Sequence, residues 1–489
     1  MGIRQKGLWI YIIFLIPTAF LLMRHWAYDD PFITFRYAAN LLKGRGFVYN
    51  YGQKVLSTTT PLYVLLLASL GKLWSDLPSL SNLISAISLG LGALFLGQLA
   101  EAQAMPWAGY SSMILYSTFP LLYGTFGSEM CFYLMLCLGA LAWYAARRYT
   151  LTALFAALAV LTRADAVVLV AILALDYLFR HFKHYRSIPW STLIIFTFIV
   201  VPWFVFAWWY FGSPLPVTLM VKQHQGQMAI SQSFASGFLT LVRNYGRFWN
   251  YRVEAGLALL GLGYALALRR EWAFSLAWPF SYFVAYVALG VSRYFWYYAP
   301  LVPGFVMAVG LGTLVCDKLL SRVLKWRFKM QNPFPLFKGE RMRVITLGIV
   351  LLLAVFQAMG VWRLHNHPDR RVHIYRTVGE WLYENTPPEA VIGTLEVGII
   401  GYYSQRPMID FAGLIQPTVA LQLTQNTTYQ DAAIWAIENY RPDYLVLNPL
   451  WFPKLMENYV ETSCKLVKVF KGGPYGYPGE LHIYSCSWS

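Results

Sequence analysis

From Gly7 to Val361, long apolar runs alternate with short polar breaks, and beyond Val361 that pattern stops. A run near 20 apolar residues, wound as a helix, matches the roughly 30 Å hydrocarbon core of a bilayer. Spans are expected over 8–23, 80–100, 107–122, 130–146, 150–163, 165–180, 191–210, 253–268, 272–290, 297–316 and 344–361. The first run follows Arg4 and Lys6, which would suit a signal peptide. No small-residue cleavage pattern comes after it, and Arg24-His25-Trp26 looks like an interfacial exit, so a retained signal anchor is expected. The segment Thr60–Leu77 has a short apolar core and carries Lys72. We read it as a juxtamembrane helix in the outer interface, not as a span.

Charge turns these spans into a topology. The chain has a net charge of +16, with 57% hydrophobic and 13% charged residues, against roughly 25% charged in soluble proteins. The cations sit in alternate breaks: Arg4 and Lys6; Arg147-Arg148; Arg180, Lys183 and Arg186; Arg269-Arg270; and the segment Lys318 to Arg343, with Arg322, Lys325, Arg327, Lys329, Lys338 and Arg341. All fall on one side only if Thr60–Leu77 does not cross. The positive-inside rule makes that side cytoplasmic, in a multi-pass protein of the cell membrane. Residues 24–79, 123–129, 211–250 and 291–296, and everything after Val361, are then outside. The basic balance needs no nucleic-acid partner, and no nucleic-acid motif is present.

The pattern divides the chain into a membrane domain, 1–361, and a soluble domain, 362–489. In the second, "VHIYRTVGEWLYENTPP" reads as an amphipathic helix stopped by prolines, and "AVIGTL", "PMIDF", "DYLVLN", "CKLVKVF" and "LHIYSC" as short strands. That alternation predicts a small extracytoplasmic α/β layer. It contains no nucleophile motif and no glycine-rich phosphate loop, so a packing or acceptor-docking role is expected. Of the five cysteines, Cys131, Cys137 and Cys316 fall in or beside apolar spans. Cys464 and Cys486 can form a disulfide if their domain is outside. Asn426-Thr427-Thr428 fits a glycosylation sequon, a pattern short enough to arise by chance.

Candidate chemistry concentrates in the first outer loop, "HWAYDDPFITFRYAANLLKGRGFVYNYGQKVLSTTTPLY". Adjacent carboxylates at Asp29 and Asp30 repel, which suits one of them to proton transfer. The plainer reading is that Asp30, before Pro31, caps a helix. That helix carries Phe32, Phe35 and Ala39 on one face and Arg36 and Asn40 on another, and Gly44 and Gly46 end it. It is expected to lie on the bilayer beside the two acids.

The loop resembles the first outer loop of the GT-C superfamily of membrane glycosyltransferases, which take a sugar from a polyprenyl phosphate or diphosphate. The resemblance is to a bacterial subgroup that includes mycobacterial terminal arabinofuranosyltransferases and mannosyltransferases. "GSEM" (127–130), "LTRAD" (161–165), "YFGSPLPVTLMVK" (210–222) and "SRYFWYYAPLVP" (292–303) resemble further segments of that subgroup. The chain departs from it at Pro216-Val217-Thr218 and at Arg163-Ala164-Asp165. The resemblance implies an α-helical polytopic GT-C-like fold of about eleven transmembrane helices, outer juxtamembrane helices and a small C-terminal α/β domain.

The resemblance also implies roles. An acid of the pair, Asp29 first, is the general base for an acceptor hydroxyl. Lys222 and Arg293 bind the leaving phosphate, the plainer alternative being contact with lipid headgroups. Glu129 stabilises a helix start by its charge, or orients the acceptor or a metal. Arg163 and Asp165 pair with each other in support; from composition alone, Tyr28, Arg36, Tyr49 and Asn50 are candidates to line a sugar site. The partners are a polyprenyl-phosphate sugar, a glycan, lipid or protein acceptor, and membrane lipid. No cofactor is assigned, and two outer carboxylates could hold a divalent ion. A transporter or flippase is the main rival, but most ionisable residues lie in loops and not at mid-span. A scaffold protein would leave the polar first loop unexplained.

Overall fold

A computed structural model describes residues 3–182, 189–327 and 340–488. The expected cations Lys183, Arg186, Lys329 and Lys338 lie outside the described residues. The membrane part runs α1 (Ile3–Met23), α2 (Pro31–Leu42), α3 (Pro61–Gly71), α4 (Leu77–Ala102), α5 (Pro106–Thr118), α6 (Pro120–Gly124), α7 (Met130–Ala145), α8 (Tyr149–Thr162) and α9 (Val167–Asp176). It continues with α10 (Trp190–Phe211), α11 (Thr218–Gln227), α12 (Phe234–Tyr245), α13 (Trp249–Leu268), α14 (Arg270–Leu289), α15 (Val302–Arg327) and α16 (Glu340–Asn366).

Each expected span falls on helix. Among the described residues, α4, α10, α13, α14, α15 and α16 contain windows long and apolar enough to cross a membrane alone. Others are shorter: α7 and α8 have 16 and 14 residues, and the span expected at 107–122 is broken at Phe119 into α5 and α6. Helix α3, in the segment read as juxtamembrane, has 11 residues. At about 1.5 Å per residue it reaches only about half-way across a bilayer. It packs on α2, α4 and α8.

The soluble part runs α17 (Arg371–Asn385), β1 (Ile392–Thr394), α18 (Ile399–Ser404), β2 (Met408–Asp410), α19 (Pro417–Ala420), α20 (Tyr429–Tyr440), β3 (Tyr444–Leu447), β4 (Cys464–Lys471) and β5 (Glu480–Cys486). The sheet order is β2-β1-β3-β5-β4, with β2, β1 and β3 parallel and β5 antiparallel to both its neighbours. A disulfide joins Cys464 to Cys486 across β4 and β5, and Cys131 and Cys137 are free and buried.

Helix α2 departs from expectation. Its apolar face does not rest on lipid, because nine of its residues, including Phe32, Phe35 and Arg36, are buried. Phe32 and Phe35 meet Tyr402 of α18 edge to face. One hydrophobic core therefore runs from α2 and α3 into the soluble domain through Ile374, Val378, Ile399 and Ile400. As expected, glycines end the helix: Gly44 and Gly46 have φ of 70° and 88°, which side chains disfavour.

Around this core, first-loop side chains satisfy the backbone of residues 397–408. Both carboxylate oxygens of Asp29 accept, from the amides of Gly398 (3.0 Å) and Ile399 (2.8 Å). The Tyr49 hydroxyl donates to Val397 O at 2.5 Å. The buried Arg36 guanidinium donates to the carbonyls of Tyr49, Gly401 and Arg406 and stacks over the Tyr49 ring. The Asn50 amide donates to Met408 O (2.8 Å) and accepts from Met408 N (2.9 Å), so it caps the free edge of β2 as another strand would. Gly398 is required at this seam, since a Cβ there would sit 2.1 Å from Asp29 O.

Burial pushes the Asp29 carboxyl up to about 8, with Glu396 and Asp30 adding repulsion and the Ile399 and Gly398 amides opposing the rise. An unfolded aspartate titrates near 4. The folded state thus holds a proton that the unfolded state has released, and stability falls as pH rises from about 4 to 8. Protease protection of residues 396–408 is expected to weaken over that window, and Asp29→Asn to flatten the slope. Gly398→Ala is expected to expose the same segment to protease at every pH.

Candidate functional site

The turn after α1 sends the two acids in opposite directions. Asp29 faces the soluble domain. Asp30 makes no side-chain cap to α2, contrary to the plainer reading, and instead lines a polar cavity of about 80 Å³. The cavity is walled by Tyr28, the threonine run Thr58–Thr60, Ser128, Glu129, Arg163, Thr218, Lys222, Trp296 and Tyr297, and Leu414 of the soluble domain also reaches it.

Helix α11 supplies the cation. Thr218 and Lys222 are one helical turn apart, so both point the same way. They are only 8% and 4% exposed, and among the described residues neither the Thr218 hydroxyl nor the Lys222 ammonium has a hydrogen-bond partner. The ammonium lies 3.7 Å from Asp30 Oδ2 and 3.5 Å from the centre of the Tyr294 ring. A ring face attracts a cation but accepts no strong hydrogen bond, so the ammonium keeps donors for an anion. One turn further, Gln225 accepts from the Tyr294 hydroxyl (2.9 Å) and donates to Ala412 O (3.2 Å), fixing α11 to the soluble domain.

Arg163, in the break after α8, is neutralised. It donates to Glu129 Oε1 at 2.7 Å and to Asp165 Oδ2 at 2.8 Å, while the Tyr286 hydroxyl donates to Asp165 at 2.6 Å. The expected Arg163–Asp165 pair is present, and Glu129 joins it. With Arg163 occupied, Lys222 is the cation of the cavity that remains available. Tyr28 stacks on Trp296, 5.3 Å between centroids.

Six expected site residues do not line the cavity: Asp29, Arg36, Tyr49, Asn50, Asp165 and Arg293. Arg36, Tyr49 and Asn50 are spent on the seam. Arg293 is exposed, and its guanidinium donates to Gln232 at 2.5 Å. Nor does the donor set fit a divalent ion: amides occupy both oxygens of Asp29, Arg163 holds Glu129, and an ammonium stands beside Asp30. Among the described residues no group of three or more His, Cys, Asp or Glu is arranged to hold a metal.

No local pattern in the chain marks the two acids that the soluble domain brings near Asp30 and Lys222. Glu396 pairs with Arg371 at 3.6 Å and is raised by burial, with Arg371 opposing and Asp30 adding to the rise. Asp410 accepts from the amides of Ala412 (2.7 Å) and Ile415 (3.1 Å), and burial pushes it up to about 7 against those amides and Lys222. Both lie more than 360 residues from Asp30, in a domain without a motif. Thr218 was also missed, and its four-residue spacing from Lys222 is the signal that would have found it.

Behind the polar cavity lies a larger, mainly apolar one of about 570 Å³, lined by residues that include Trp26, Leu121, Tyr245, Trp249, Phe356 and Arg363. Phe295 also lines it, and its neighbour Trp296 lines the polar cavity. The aromatic pair 295–296, packed on Tyr28, is thus a partition between the two.

Residues 364–484 match a family described as a domain of unknown function, DUF8728. No curated protein sequence matches the chain. Solved structures do. ArnT from Cupriavidus metallidurans bound to undecaprenyl phosphate aligns with 98% of this chain and 98% of its own, at TM-score 0.63 and 15% identity. Its apo state aligns with 99% and 98%, at TM-score 0.64 and 15% identity. The archaeal oligosaccharyltransferase AglB from Archaeoglobus fulgidus, in complex with an inhibitory peptide and a dolichol-phosphate, aligns with 98% of this chain and 74% of its own, at TM-score 0.58 and 14% identity. At such identities the likeness is one of fold: over nearly its whole length the chain has the GT-C fold of these membrane enzymes, closed by a small sheet domain.

Proposed function

We propose that the protein is a membrane glycosyltransferase that moves a sugar from a polyprenyl-phosphate donor to an acceptor on the outer face of the cell membrane. The observation that carries this reading is the buried Lys222 ammonium, unpaired by hydrogen bonds beside Asp30 in a polar cavity. That arrangement suits an anion next to a base. The fold shared with proteins solved bound to undecaprenyl phosphate and dolichol-phosphate supports a lipid-linked anion. The apolar cavity across the aromatic partition offers room for the prenyl chain.

In this reading Lys222 and the Thr218 hydroxyl hold the donor phosphate, where negative charge grows as the sugar leaves. The acceptor hydroxyl attacks the anomeric carbon from the opposite side. A bond forms between acceptor oxygen and anomeric carbon as the bond from that carbon to the phosphate oxygen breaks. The lipid phosphate departs with the electron pair, and Asp30 takes the hydroxyl proton. We assign the base role to Asp30, not Asp29, because Asp29 has both oxygens committed to amides. Tyr28 and Trp296 offer ring faces to the sugar, and Arg163 fixes Glu129 at the cavity wall. The orientation set by charge puts the soluble domain outside.

Asp30→Asn is expected to abolish sugar transfer by purified protein while leaving thermal stability and undecaprenyl phosphate binding near wild type; full transfer activity would remove Asp30 from the mechanism. Lys222→Met removes a charged hydrogen-bond donor to phosphate, a loss of about 1.5–3 kcal/mol, or roughly 10- to 100-fold in affinity for undecaprenyl phosphate. Arg293→Gln, outside the cavity, is expected to change that affinity less than twofold.

A further inference from the structure

The soluble domain presents its carboxyl strand ends to the cavity. From β1 the chain crosses to β2 on one side and later enters β3 on the other. Loops that diverge in this way from parallel strands leave a crevice at the carboxyl ends, where open α/β sheets bind ligands. Here the loop after β1 carries Glu396, followed at once by Val397 and Gly398, which are tied to Tyr49 and Asp29. The loop after β2 places Ala412 O on Gln225 and Leu414 in the cavity wall. The edge of the sheet suited to a ligand is therefore the edge docked over Asp30.

Among the acids at this edge, Glu396 is the one not consumed by the fold. Amides bind Asp29 and Asp410. The Glu396 side chain remains 24% exposed, and its ion partner among the described residues, Arg371, stands 3.6 Å away and is forked onto Asp369. Glu396 is also near enough to Asp29, Asp30 and Asp410 for their charges to oppose one another. Acids alone would not define a ligand. The independent sign is the Lys222 ammonium, more than nine-tenths buried and without a hydrogen-bond partner, on the wall that Asp30 shares.

We propose that Glu396 is an acceptor-binding residue, contributed by the soluble domain to the active site, and that the acceptor it receives is a sugar without anionic groups. The inference rests on the transferase reading above. A carboxylate can accept hydrogen bonds from two neighbouring hydroxyls of a sugar. Asp30, with Glu396 beside it, disfavours an anionic acceptor, whereas Lys222 favours the anionic donor. Charge thus sorts the two substrates, with donor phosphate on the α11 side and acceptor hydroxyls under the sheet edge.

The test uses the full chain in its native host. In a strain lacking the gene, the envelope sugar that disappears identifies the product, and complementation measures its return. Purified protein is probed with undecaprenyl phosphate. Glu396→Gln is expected to restore less than one tenth of the sugar that wild type restores while binding undecaprenyl phosphate as wild type does. Glu396→Asp, which keeps the charge, is expected to recover part of the loss. Full restoration by Glu396→Gln overturns the inference, as does loss of undecaprenyl phosphate binding in that variant, which would make Glu396 structural. If deletion removes no envelope sugar and wild type does not bind undecaprenyl phosphate, the transferase reading fails first.

Discussion

Every polar group of the backbone at 397–408 that meets the membrane domain has to find a partner there, because water is excluded from the seam. Leaving a buried amide or carbonyl unpaired costs roughly 1–3 kcal/mol. Asp29, Arg36, Tyr49 and Asn50 meet that demand from one short loop. Their bonds run to main chain, so they fix position as well as adhesion. Tyr402 packed on Phe32 and Phe35 makes the same junction apolar between the polar ties. The soluble domain is consequently not a tethered accessory. Its sheet is held in register with the polar cavity, and its strand ends become part of that cavity's surroundings.

The same junction settles which charges are available for chemistry. Asp29 is spent as an anchor, and Arg36 spreads its charge over three carbonyls. Arg163 is balanced by Glu129 and Asp165. What remains is an ammonium at Lys222 and a carboxylate at Asp30, 3.7 Å apart, with Glu396 beyond. An ammonium over a tyrosine ring is held in place without losing its donors. In the proposed reading, such a site needs little rearrangement when it takes up the donor phosphate.

Two cavities of opposite character on either side of Phe295 and Trp296 suit an amphipathic substrate. A long apolar chain with an anionic head would place each part in the chamber that matches it, and the aromatic partition would mark the junction. Helix α11 is central to this division. One end of its polar face reaches the cavity through Thr218 and Lys222, and the other reaches the soluble domain through Gln225.

The sequence by itself determined the membrane architecture, because hydrophobic length and the placement of arginine and lysine are local properties that a bilayer reads directly. It also set Thr60–Leu77 apart from the spans through the charge pattern, predicted an α/β layer for the tail, and led to the expectation that Asp30 and Lys222 share one outer face. Only the tertiary structure decided what each polar side chain does. Asp29 and Asp30 are adjacent in sequence, yet one binds amides and the other faces a cavity, because the turn before α2 points them to different neighbours. Arg36, Tyr49 and Asn50 look like a sugar site in sequence because a polar loop gives no sign of whether its partner will be substrate or backbone. Glu396 and Asp410 had no signal at all, since the contact that gives them meaning joins residues more than 360 positions apart.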